Sequence, residues 1–123
     1  MTQTINEIEV NGIKYIPKDS TLPLEPNKAV IVRTVNAGVF FGYRTSQMDA
    51  LEKGIVVLTN ARRIWFWSGA ASLSQLAVEG TSKPKECKFP IAVPIIELTN
   101  VIEVIPCTTK AVESINNVPV WTA

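Results

Sequence analysis

The chain has 123 residues, of which 46% are apolar and 19% charged, and it contains no histidine. This composition excludes collagen, coiled coil, a membrane-spanning protein and a disordered tail, and the length suits one domain with a core that needs no metal or disulfide. Because histidine is the commonest general base and metal ligand near neutral pH, Ser-His-Asp, Cys-His and His-zinc chemistries are excluded as well. No cofactor is expected.

The charge is small overall but unevenly distributed. A net charge of +1 argues against binding to long nucleic acid. Between Lys28 and Arg63, however, six basic residues stand against two acidic ones, and all four arginines of the chain lie in this window. Arginine has a planar fork that suits phosphates and stacks on rings, so the window is a candidate surface for small anions.

The cysteines and the termini indicate a compartment. Cys87 and Cys107 form no C-x-x-C pair, which favours reduced thiols over a disulfide framework or a zinc site. No segment approaches the roughly 20 apolar residues of a membrane span, and residues 1–9 lack the pattern of a signal peptide. We therefore expect a soluble, cytoplasmic chain with no membrane partner.

We predict a single domain over 1–123, within which turn signals separate the secondary-structure elements. Asn11-Gly12 between two apolar runs predicts an N-terminal hairpin within 1–17. A loop with three prolines then separates this hairpin from the main body at 28–121.

The main body opens with β-rich runs. Runs at 29–35 and 39–44 predict a hairpin around Asn36-Ala37-Gly38, and a polar loop with at most one helical turn follows at 45–54. Runs at 55–59 and 62–67 predict another hairpin around Asn60-Ala61.

Two helices and two further strands complete the prediction. Ser68 is a candidate N-cap for a helix at 69–79 that stops at Gly80, and Thr108 is a candidate cap for a helix at 109–116. Strands at 94–98 and 101–105 flank Thr99-Asn100. The predicted fold class is α+β, a mainly antiparallel β-sheet built from hairpins with two short helices.

One stretch, 60–74, combines adjacent arginines, three aromatic residues and a serine-capped helix start. Strand alternation puts Arg63, Trp65 and Trp67 on one face and Arg62, Ile64 and Phe66 on the other. In the preceding hairpin it puts Phe40 with Arg44. Such a set offers cations and stacking planes for a phosphorylated purine, whereas the alternative is that the tryptophans are core and the arginines keep an edge strand soluble.

Three strings resemble a family of small phage and prophage proteins, the one that contains the first type of Thoeris anti-defence protein. They are AVIVRTVNAGVFFGY at 29–43, LTNARRIWFWSGAASLSQLAVEG at 58–80 and IEVIPCTTKAVESINNVPVW at 102–121. The similarity covers nearly the whole chain after about Gly12, and the middle string is its most specific part.

The resemblance implies a phage protein that acts in the host bacterial cytoplasm and is not an enzyme. It implies sequestration of cyclic ADP-ribose isomers, and in some members of cyclic oligonucleotides, by homo-oligomers ranging from dimers upwards to hexamers. Residue chemistry within the matching strings nominates the ligand contacts: Arg62, Arg63, Trp65, Phe40, Arg44 and Lys110.

Two other classes stay open at this stage. A virion or assembly component would use the aromatic residues as a subunit interface and show no affinity for small molecules. A binder of single-stranded nucleic acid would show affinity that grows with strand length and falls with salt. An enzyme ranks last, since it would have to release an altered nucleotide.

Overall fold

A five-stranded antiparallel sheet and two short helices form the protein in a computed structural model that describes residues 28–45 and 50–123. The α+β fold class is therefore confirmed, whereas the predicted N-terminal hairpin at 1–17 lies outside the described residues. No helix in the described ranges is long and apolar enough to cross a membrane. In chain order, the elements are β1 (Ala29–Thr34), β2 (Val39–Arg44), β3 (Val56–Arg63), α1 (Leu73–Glu79), β4 (Val93–Leu98), β5 (Val101–Pro106) and α2 (Thr109–Asn116).

β1 and β2 form the first predicted hairpin of the main body. The backbone N–H of Thr34 donates to the carbonyl of Gly38 at 3.0 Å, and the Thr34 hydroxyl accepts from the N–H of Ala37 at 2.8 Å. Gly38 has φ of 90°, a conformation that other residues rarely adopt. The glycine in the turn signal thus closes the hairpin.

β3 is one continuous strand, so the predicted hairpin around Asn60-Ala61 is wrong. Asn60 does adopt the left-handed conformation that a turn would need, with φ of 48°. That conformation makes a β-bulge here, because the register with β2 shifts between the pairs Phe41↔Arg62 and Tyr43↔Thr59. Because β3 pairs with β2 on one side and with β4 on the other, the chain continues in the same direction through Asn60 and does not reverse.

The strand order, β4-β3-β2-β1-β5, forces the sheet to curl. β4 and β5 lie at opposite edges, although only Thr99 and Asn100 separate them. Four strand spacings in a flat sheet would measure about 19 Å, whereas three steps along the chain reach at most about 11 Å. The edges must therefore approach each other at this corner, where Asn100 has φ of 55°. The strands at 94–98 and 101–105 exist as predicted, but they form no hairpin.

Both faces of the central strands are buried. One face, inside the curl, carries a cluster that includes Val32, Phe40 and Leu58. The opposite face carries a second cluster in which Ile31 and Phe41 pack with residues of the two helices. Phe40 and Phe41 are therefore both core residues, which strand alternation alone left undecided.

The first helix is shorter than predicted. α1 begins at Leu73 and is capped by Ser72, whose hydroxyl accepts from the N–H of Gln75 at 3.2 Å, so the predicted cap at Ser68 is wrong. Gly69 has φ of 83° and packs so tightly on the loop 81–83 that an added Cβ would lie 2.5 Å from the backbone N of Lys83. This contact keeps the residues before Ser72 out of α1. The predicted stop at Gly80 and the cap of α2 at Thr108 are confirmed.

Candidate ligand-binding site

Arg62 and Arg63 leave β3 on opposite faces, and the structure gives them different roles. Arg62 is only 7% exposed. Its Nε donates to the carbonyl of Pro90 at 3.2 Å, and Nη1 donates to that of Ile115 at 3.0 Å. Nη2 donates to the carbonyls of Phe89 at 2.8 Å and Pro119 at 3.4 Å. The side chain thus ties β3 to the loop before β4, the end of α2 and the C-terminal segment.

Burial lowers the pKa of Arg62 by removing water from its charge. The four carbonyls and the ring of Phe89, whose centre lies 5.4 Å from the guanidinium carbon, replace that water. With its donors turned to these carbonyls, Arg62 has a structural role, and the geometry does not support the ligand contact predicted for it.

Arg63 lies on the other face, stacked on Phe40. The two residues are direct partners in the β2–β3 register, and the guanidinium carbon lies 4.3 Å from the ring centre. Nη1 also donates to the carbonyl of Ala37 in the β1–β2 turn at 2.8 Å. The guanidinium is therefore oriented by a ring beneath it and by one hydrogen bond, while the residue stays exposed to solvent.

A cavity of about 220 Å³ lies beside this pair. Phe40, Ala61 and Arg63 contribute from the sheet. The remaining lining is apolar and comes from the neighbouring strand β4 and the residues before it: Pro90, Ile91, Val93 and Ile96. We call this cavity, with its cation at the rim, the Phe40 pocket.

Exposed aromatic residues follow Arg63 in the chain. Trp65 is 65% exposed, whereas Trp67 packs partly buried against the helix-side core, which decides between the two tryptophans. The ammonium group of Lys88 lies 6.0 Å from the ring centre of Phe66 and 5.4 Å from that of Trp121. Backbone hydrogen bonds join these segments, including Trp65 N–H to the Lys88 carbonyl at 3.0 Å. The aromatic surface comprises Phe66, Lys88 and Trp121, and the exposed Trp65 precedes Phe66 in the chain.

The other two predicted contacts lie elsewhere. Arg44 is four residues beyond Phe40 on β2, about 13 Å along an extended strand. Lys110 lies in a different groove, near the end of α1. The structure thus brings together Phe40 and Arg63, with Trp65 close in sequence, and separates them from Arg44, Lys110 and the buried Arg62.

Sequence reasoning missed the apolar wall of the pocket. Ile91, Val93 and Ile96 belong to the run IAVPII, a continuous apolar run that indicates a buried strand and carries no binding signal of its own. Lys88 and Trp121 were missed because they are distant in sequence and meet only in the fold. No local pattern in the sequence signals this contact, because it depends on the fold.

Residues 27–115 match DUF6948, a family described as a domain of unknown function. The chain belongs to this family. The matched region contains every residue that lines the Phe40 pocket, while Trp121 lies beyond it. No curated protein and no solved structure matches the chain. The family description names no ligand.

Proposed function

We propose that this protein binds and sequesters a small cyclic nucleotide signal of the cyclic ADP-ribose type without cleaving it. The observation that carries the proposal is the stacked pair of Arg63 and Phe40 at the rim of an apolar pocket. A nucleotide offers the two complementary groups, a phosphate for the guanidinium and a flat base for the apolar wall.

The geometry of Arg63 suits capture of an anion. Among the described residues, its guanidinium makes one hydrogen bond, to Ala37, so most of its five N–H donors remain for a ligand. A phosphate can take two of these donors in parallel, which fixes its orientation as well as its position. Because Phe40 and Ala37 already hold the guanidinium, little side-chain entropy is lost on binding.

The pocket is small for a whole cyclic nucleotide. Its volume of about 220 Å³ is below the roughly 300–1,000 Å³ of ordinary small-molecule sites. In our proposal the remainder of the ligand contacts Trp65, two residues beyond Arg63, and a second copy of the chain, in a homo-oligomer within the host bacterial cytoplasm. The exposed side chains of Ile91 and Ile95 supply apolar area for such an assembly.

Sequestration requires no catalytic residues. A chain without histidine lacks the side chain that most often moves protons at neutral pH. Sequestration requires only tight ground-state binding and slow release, which the pocket and its oriented cation favour.

Calorimetric titration with cyclic ADP-ribose isomers and with cyclic di- and trinucleotides tests the proposal. Heat denaturation should then release the bound compound, which chromatography compares with the starting material. We expect saturable binding of one small cyclic species and its recovery unchanged. Recovery of an altered compound would make the protein an enzyme, and no binding across the panel would overturn the proposed function.

Variants locate the site. We expect Arg63→Ala and Trp65→Ala each to abolish capture while the oligomer stays folded. Arg33→Ala is the matched control, because Arg33 is an exposed arginine on the same sheet that pairs with Glu103 at 3.0 Å, away from the pocket. Full capture by both site variants would contradict the assignment.

The aromatic surface favours one second candidate, a virion or assembly component. The side chains of Phe66 and Trp121 are 50% and 39% exposed, and both lie near the ammonium group of Lys88. Such a patch serves a subunit interface as readily as a ligand. Under this alternative, Phe66→Ser with Trp121→Ser would dissociate the oligomer in light-scattering chromatography, and the cyclic nucleotide panel would show no binding.

A further inference from the structure

A second groove lies between the end of α1 and the start of α2. It has a volume of about 310 Å³ and shares no residue with the Phe40 pocket. Its side-chain lining is polar or charged: Gln75, Glu79, Thr81, Ser82 and Lys110. The volume falls within the range of small-molecule sites, and the lining suits a polar ligand rather than an apolar one.

Each of the two charged residues in this groove lies at the helix end where the helix dipole disfavours its charge. Glu79 is the last residue of α1, where the helix dipole is negative, and Lys110 is the second residue of α2, where the dipole is positive. α1 has no basic residue in its last turn, and α2 has no acidic residue in its first turn, to compensate. Each placement costs a small amount of folding stability, because both residues are exposed.

Neither charge is neutralised by an ion pair among residues 28–45 and 50–123. Oε1 of Glu79 accepts a hydrogen bond from Nε2 of Gln75 at 3.0 Å, which leaves its charge in place. Lys110 makes no hydrogen bond or ion pair in those ranges, and it does not reach Glu79 although both line the groove. The groove therefore presents a separated anion and cation to solvent.

The walls of the groove are held in place without a ligand. The N–H of Thr81 donates to the hydroxyl of Ser114 on α2 at 2.9 Å. Gly80, with φ of 78°, lies so close to α2 that an added Cβ would be 2.3 Å from the Cβ of Ser114. This close approach joins the end of α1 to α2, so the two charges are displayed on one rigid frame.

We infer that this groove binds a small zwitterion that carries an ammonium and a carboxylate group. The ammonium lies against Glu79 and the end of α1, and the carboxylate lies against Lys110. Each ligand group then meets a side-chain charge that the adjoining helix dipole reinforces, and the bound ligand neutralises both. This site is independent of the proposed nucleotide function.

Titration of the full chain, followed by backbone amide NMR, tests the inference. The probes are glycine, β-alanine and γ-aminobutyrate, which differ in the separation of their charges, with acetate and methylammonium as singly charged controls. We expect saturable shifts at the amides of Glu79, Gly80 and Lys110 with at least one zwitterion. Glu79→Gln and Lys110→Gln should each weaken that binding about tenfold or more, since each removes one of the two charges.

Matched substitutions at exposed sites outside the groove serve as controls. Glu97→Gln on β4 and Lys53→Gln, in the single helical turn before β3, make the same changes of charge and should leave the affinity within about twofold. Three results would overturn the inference: no saturable shift with any zwitterion, equal affinity for acetate alone, or unchanged affinity in both groove variants.

Discussion

Phe40 and Arg63 face each other across β2 and β3, with the guanidinium carbon 4.3 Å from the ring centre. Phe40 is buried inside the curl of the sheet, so its ring is a fixed base on which an exposed cation rests. The hydrogen bond from Arg63 to Ala37 adds a second point of attachment. The ring and the hydrogen bond together orient the guanidinium of an otherwise flexible side chain.

Replacing Arg63 by lysine tests whether orientation matters as well as charge. Lysine keeps the positive charge but lacks the planar fork that binds a phosphate at two points and stacks on a ring. We expect Arg63→Lys to bind the cyclic nucleotide at least about tenfold more weakly in calorimetry, a loss of about 1.4 kcal/mol. Arg33→Lys, on the same sheet, should bind as the native chain does. Equal affinity of Arg63→Lys and the native chain would show that charge alone suffices.

Replacing Arg62 tests its structural role. Arg62→Ala leaves the carbonyls of Phe89 and Ile115 without their donor in a buried position. We expect the free energy of unfolding to fall by about 3 kcal/mol, since each buried unsatisfied group costs about 1–3 kcal/mol. Arg63→Ala, at an exposed site, should cost under about 1 kcal/mol. Urea denaturation of the two variants measures the difference, and equal losses would contradict the separate roles.

Substitutions at Asn60 test whether the β-bulge requires a left-handed residue at this position. Its φ of 48° is strained for a β-branched residue and relaxed for glycine. We expect Asn60→Val to lower the free energy of unfolding by about 1–2 kcal/mol and Asn60→Gly to change it little. Glu97→Val, at an exposed position in regular pairing with Val57, is the control for adding a β-branched side chain to a strand. A stable Asn60→Val variant would argue against a left-handed residue at this position.

The buried thiol of Cys107 should make the free energy of unfolding depend on pH in alkaline solution. Burial raises the pKa of this thiol to about 12 from an ordinary value of 9.0. Above pH 9 the unfolded chain releases this proton while the folded chain keeps it, so the free energy of unfolding falls as pH rises towards 12. The slope from this one group reaches about 1.4 kcal/mol per pH unit.

Denaturant titrations at several pH values between 8 and 11 measure that slope. Cys107→Ala should flatten it, although the variant is less stable at neutral pH because it leaves a small cavity. Cys87→Ala, at the other buried free cysteine, is the comparison for the loss of a buried thiol. An unchanged slope in Cys107→Ala would contradict the assignment.

The sequence by itself determined the elements whose signals are local. The alternating runs of β1 and β2, the glycine turn at Gly38, the stop at Gly80 and the cap at Thr108 each depend on residues within a few positions. The same reasoning predicted the α+β class, and it nominated Arg62, Arg44 and Lys110 as ligand contacts alongside Phe40, Arg63 and Trp65.

Only the tertiary structure decided features that depend on distant partners. Asn60 favours a left-handed conformation in a turn and in a bulge alike, and pairing with two flanking strands selected the bulge. Ser68 and Ser72 are both good caps, and the contact of Gly69 with the loop 81–83 selected Ser72.

The two adjacent arginines, Arg62 and Arg63, also depend on distant partners for their roles. Strand alternation separates Arg62 from Arg63 but does not say which face will be covered. The carbonyls of Phe89 and Ile115 bury Arg62, and they come from segments that are 27 and 53 residues further along the chain. Burial is a property of those long-range contacts, so the residue that remained available to a ligand became known only once the chain was folded.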